Sequence, residues 1–152
     1  MALHKSTQVT ARVPIPSADG ATGLIFSVAD FVVPASGFAS ADVCEMGAIP
    51  AGYVPVDLIV DNADLGTTVT ADWGILSGSY GDPATRTCGA EFIAASALGT
   101  ASVLRMSVVG GGRVAPTTGD RSWGFVASTV SAATSGAVMR ATLVLRPQSE
   151  GV

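Results

Sequence analysis

Along most of the chain apolar and polar residues alternate one for one, the period of a strand with one buried face. Residues 24–33 (LIFSVADFVV) are rich in β-branched and aromatic types and stop at Pro34. In 42–47 (DVCEMG), Cys44 and Met46 share one face, and Val43 and Glu45 the other. IPAG then turns the chain, Pro50 presetting φ and Gly52 accepting a positive one. Residues 53–61 (YVPVDLIVD) place Val54, Val56, Leu58 and Val60 together, opposite Tyr53, Pro55, Asp57, Ile59 and Asp61. Pro55 cannot donate to a ladder, so this strand is expected to start at a sheet edge or with its donor side free.

The pattern continues. Residues 67–77 group Val69, Ala71, Trp73 and Ile75; residues 122–130 group Trp123, Phe125 and Ala127. Residues 137–146 point Met139, Ala141, Leu143 and Leu145 inward and Arg140, Thr142 and Arg146 outward. One segment, 97–106 (ALGTASVLRM), is expected as a short helix that Gly99 weakens. Turn signals recur between the alternating runs, as in an antiparallel sandwich or barrel, with no internal repeat. Residues 1–22, mixing Pro, Gly, Asp and Ser around VPIPSADGATG, read as an extended arm that orders in an assembly. The expected organisation is therefore an arm (1–22), a β domain (23–147) and a short tail (148–152).

Composition adds that the surface is unusual. Only 13% of the 152 residues are charged, and the sole Lys and His, Lys5 and His4, lie in the arm. So little charge on a small domain implies that another chain covers part of its surface, hence a homo-oligomer or a larger assembly. The net charge of −4, with arginines scattered along the chain, argues against a nucleic-acid partner. The longest uncharged run, Ser122 to Met139, is broken by Gly and dense in Ser and Thr, so no membrane span is expected. MALHKSTQVTARVPIP has no apolar signal-peptide core. Cys44 and Cys88 are too few for a zinc site or a disulfide scaffold and are expected as partly buried thiols, although spacing leaves a disulfide open.

Candidate chemistry is sparse. A lone histidine in the arm leaves no Ser-His or Cys-His pair, and no serine sits in a G-x-S-x-G elbow. GGGR at 110–113 lacks the Lys-Ser/Thr of a phosphate loop. Paired carboxylates for glycoside chemistry would have to come from Asp57, Asp61, Asp64, Asp72 and Glu91, without the aromatic platforms such clefts use. Asp61, Asn62, Asp64 and Gly66 loosely resemble a calcium loop but miss its spacing and its bidentate Glu; a strand-ending turn accounts for them better. No catalytic residue, cofactor or metal ligand is therefore assigned. Trp73, Trp123 and Phe125 are expected in the core, and Tyr53 and Tyr80 at turns.

The string DVCEMGAIPAGYVPVDLIVDNADLG, followed by TTVTADWGILSG, EFIAAS and RVAPTTGDRSWGFVAST, resembles small structural proteins of tailed bacteriophages over residues 42–146. The resemblance implies an all-β, jelly-roll-like antiparallel sandwich acting as a head decoration (cement) protein or at the base of head fibres. Its implied partner is the major capsid protein, bound on the capsid exterior where capsomers meet, often as a trimer. Such a protein is made in the host cytoplasm and has no catalytic residues to carry over. The alternative is a glycan- or host-surface-binding module of a head fibre or tail, which would need Tyr53, Tyr80 and Trp123 in a shared groove.

Overall fold

The computed structural model describes residues 1–11 and 23–148. The strands in chain order are β1 (Leu3–Lys5), β2 (Ile25–Val32), β3 (Val43–Ile49), β4 (Tyr53–Asn62), β5 (Gly66–Thr67) and β6 (Thr70–Leu76). They continue with β7 (Ile93–Ala97), β8 (Ser102–Arg105), β9 (Arg121–Thr129), β10 (Ala132–Ala133) and β11 (Val138–Pro147). One sheet runs β1-β3-β9-β6-β7, a second β2-β11-β4-β8, and β10-β5 form a two-residue ribbon.

Among the longer strands, β2 to β11, the first pairs with the last and β6 and β7 form the innermost antiparallel pair. Every other consecutive pair of these longer strands lies in opposite sheets. This nested order makes the fold an all-β antiparallel sandwich with jelly-roll-like wiring.

The core fills the space between the sheets because the alternating runs turn their apolar sides there. Met139, Ala141, Leu143 and Leu145 of β11 are fully buried, as are Trp73 and Trp123 from the opposite sheet. Phe31, reaching from β2, meets Phe125 of β9 edge-on at 5.5 Å between ring centres, and Phe38 at 6.0 Å.

Several expectations give way to tertiary structure. Val56 does not enter the core: Val144 pairs with Asp57 and Leu145 with Pro55, so Val56 is the extra residue of a bulge and is exposed. Pro55 lies in an interior strand, but β8 covers β4 only over Ile59–Asn62, so the proline end lacks a second strand neighbour. β3 is buried on both faces, Val43 and Glu45 as well as Cys44 and Met46.

The helix expected over 97–106 is absent. Asn62 Nδ2 donates to the Thr100 carbonyl (2.9 Å), holding a turn, and Ser102–Arg105 instead pairs with β4. An open sheet edge outcompetes the weak helical preference of a Gly-containing segment.

Among the described residues the one α-helix is α1 (Thr7–Thr10), N-capped by Ser6, whose Oγ accepts from the Val9 N–H. Residues 1–11 of the expected arm lie on the domain itself: β1 adds parallel to β3, with Leu3 opposite Val43, and Val9 is buried. Residues 12–22 lie outside the described residues. So does the expected tail beyond Gln148, whose N–H donates to the Gly52 carbonyl.

Candidate functional site

The five carboxylates considered for catalysis are dispersed by the fold. Asp57 pairs with Arg105 across β4 and β8, and Asp61 faces Arg140 in the β4–β11 register. Asp64 serves its turn, its Oδ1 accepting the Gly66 N–H at 2.9 Å. Asp72 belongs to the other sheet, taking the Ala95 N–H at 2.7 Å and the Ser128 hydroxyl at 2.6 Å. Glu91 accepts the Ile75 N–H at 2.9 Å. Asp57, Asp64, Asp72 and Glu91 are each engaged in holding local backbone or a neighbouring strand. Among the described residues, no three His, Cys, Asp or Glu side chains gather as a metal would need.

The aromatic groove is also not assembled. Trp123 is fully buried, and its Nε1–H donates to Ser27 Oγ at 3.0 Å, tying the two sheets together. The thiols of Cys44 and Cys88 are free, and burial pushes that of Cys88 up to about 12, so it stays protonated near neutrality.

What the fold does display is an apolar sheet face. On the side of β2-β11-β4-β8 turned away from the core, Phe26, Val28 and Val32 alternate outward along β2. Phe26 is 56% exposed and Val103 of β8 65%, and Val56 and Val138 add to the same surface. Cross-strand register sets Phe26 beside Val144, Val28 beside Thr142 and Val32 beside Val138. Two ion pairs punctuate this face. Arg140 grips Asp30 through Nε (2.7 Å) and Nη2 (3.0 Å), and Arg105 binds Asp57. The guanidinium of Arg140 holds the Asp30 carboxyl below its ordinary range. The face is mostly apolar and punctuated by paired charges, which suits contact with protein.

A buried polar cluster escaped the sequence reading. Glu45, which alternation sets with Val43 on the face opposite Cys44 and Met46, is fully buried and accepts from Arg86, from the Ser122 hydroxyl and from the Gly81 N–H. These bonds fasten the 77–88 connection over β3 and β9. The only signal was a lone Glu in an otherwise apolar strand.

Comparison with known proteins gives a consistent picture. No family model matches the chain, and no curated protein does. Among solved structures, a chain in "Capsid of Ralstonia phage GP4" superposes with a TM-score of 0.88 and is 30% identical, covering 98% of this chain and all of that one. A chain in "Cyanophage Pam1 capsid asymmetric unit" shares the fold with a TM-score of 0.58 at 17% identity, over 91% of this chain and 96% of that one. With identity at that level over the full length, the chain belongs to the family of phage capsid proteins represented in the Ralstonia phage GP4 capsid.

Proposed function

We propose that this chain is a non-enzymatic decoration (cement) protein, docking on the exterior of a phage capsid and bridging neighbouring copies of the major capsid protein. The observation that carries the reading is the outward face of β2-β11-β4-β8, where Phe26, Val28, Val32, Val56, Val103 and Val138 stand exposed on a chain with few charges. Apolar area of this kind is stabilised by a partner; at about 25 cal/mol per Å² its burial favours lasting association. A trimer at the junction of capsomers fits the reading, with residues 1–11 laid onto the sandwich through β1 and α1. A glycan-binding role is disfavoured, because Trp123 is sealed inside.

The test is sedimentation of purified protein with heads that lack it. Stoichiometric binding and greater heat resistance of the decorated heads are expected, and a Phe26→Asp/Val28→Asp double variant should remain in the supernatant. Absence of the protein from purified particles, or unchanged head stability on its loss, would defeat the reading.

A further inference from the structure

The cations of the described residues divide into two groups. Lys5, Arg86, Arg105 and Arg140 each lie within 4.0 Å of a carboxylate. Arg113, Arg121 and Arg146 have no such partner among the described residues, and all three gather at one end of the sandwich. Arg113 and Arg146 line a cavity of about 410 Å³ whose other walls include Val54, Val114, Pro116 and Gln148. Arg121 stands behind it, its Nη2 donating at 3.0 Å to the carbonyl of Ala115, a wall residue. The Nε of Arg121 is buried with no hydrogen-bond partner, a costly state for a charged donor. Two guanidinium side chains therefore line one concavity on a chain of net charge −4, with Arg121, near the Glu91 carboxylate, behind its wall.

We infer that this cavity is a carboxylate-binding site, taking an acidic side chain from a short segment of a neighbouring protein chain. The fork of a guanidinium matches the two oxygens of a carboxylate, and Gln148 adds an amide donor. The walls of Val54, Val114 and Pro116 suit the aliphatic stem of Asp or Glu. A nucleic acid would need a continuous basic stripe and would be repelled by the net negative charge. The cavity adjoins the apolar sheet face, since a Cβ on Gly112 would lie 3.8 Å from the Val56 carbonyl. In naming a capsid neighbour as the donor, the inference rests on the assembly role proposed above.

The test uses fluorescein-labelled hexaglutamate and anisotropy at low ionic strength. Saturable binding is expected, weakened about tenfold or more in an R113Q/R146Q double variant, as loss of charge-assisted hydrogen bonds predicts. An R105Q/R140Q variant, which changes net charge equally, should bind like the parent; thermal melts verify that both variants fold. The inference fails if hexaglutamate does not saturate, or if both double variants lose binding alike. It also fails if inorganic phosphate or oligothymidylate displaces the peptide where acetate does not. The F26D/V28D variant should keep hexaglutamate binding while losing heads, so loss of capsid docking and loss of this site are read separately.

Discussion

Arg86 donates through Nη1 to Glu45 Oε1 at 2.6 Å, with both side chains withdrawn from water. The same guanidinium reaches Ser122 Oγ at 3.0 Å and the Ser77 carbonyl, so one side chain links the 77–88 connection to β3 and β9. Truncating one member strands a buried charge, whereas replacing both removes the desolvation cost along with the bond. Arg86→Met should therefore cost about 3–5 kcal/mol, and the Glu45→Met/Arg86→Met pair should recover much of it. Urea unfolding of the three proteins measures this; a double variant no better than the single would contradict the account.

Trp123 and Ser27 supply the polar tie between the sheets, inside an apolar core. Ser27→Ala would orphan a buried indole N–H and should lower stability by about 1–3 kcal/mol. Gly47 lies under this bond: a Cβ there would sit 2.8 Å from Ser27 Oγ and 2.9 Å from Trp123 Nε1. Gly47→Ala should thus cost at least as much as Ser27→Ala, read by the shift in denaturant midpoint.

Gly124 sits where β9 crosses close to β3. A Cβ at this position would overlap the Cys44 carbonyl oxygen, and backbone cannot swing aside as a side chain can. Gly124→Ala should push β3 and β9 apart and yield insoluble or poorly folded protein. Gly119→Ala, with open space around it, should express and melt like the parent.

Acid should loosen the N-terminal segment. Burial of Asp42 works against its ionised form. Hydrogen bonds from the Ala39 and Ala2 N–H groups and from His4 outweigh this, and its carboxyl is held below the ordinary range. Asp30 is lowered as well, first by its hydrogen bond from Arg140. Carboxyls lowered by folding contribute stability that is present above their unfolded value, about 3.9, and fades as pH falls through the folded one. Tm should therefore hold down to roughly pH 4 and drop below it. Asp42→Asn should show a shallower acid slope, and a slope equal to the parent's would remove Asp42 from the explanation.

Much of the fold was legible because strand alternation is a local property. Residues 137–146 announced their inward set correctly, and Trp73, Trp123 and Phe125 went to the core as their spacing required. Asp64 was readable as a turn residue because Asx hydrogen bonding spans only two positions.

The rest depends on partners far along the chain. Val56 points outward because β11 pairs around it, and 102–105 is a strand because β4 offers an open edge. Glu45 is buried because Arg86, 41 residues away, folds over it. The site candidates followed the same division. Alternation could place Phe26 and Val28 on one strand face, but only the sheet order showed that face to be outermost. Likewise Arg113, Arg121 and Arg146 are scattered in sequence and converge only when β11, β9 and the loop before β9 meet. Periodicity reports which side of a strand is apolar; which strand lies beside it, and what covers the pair, is fixed by long-range pairing and packing.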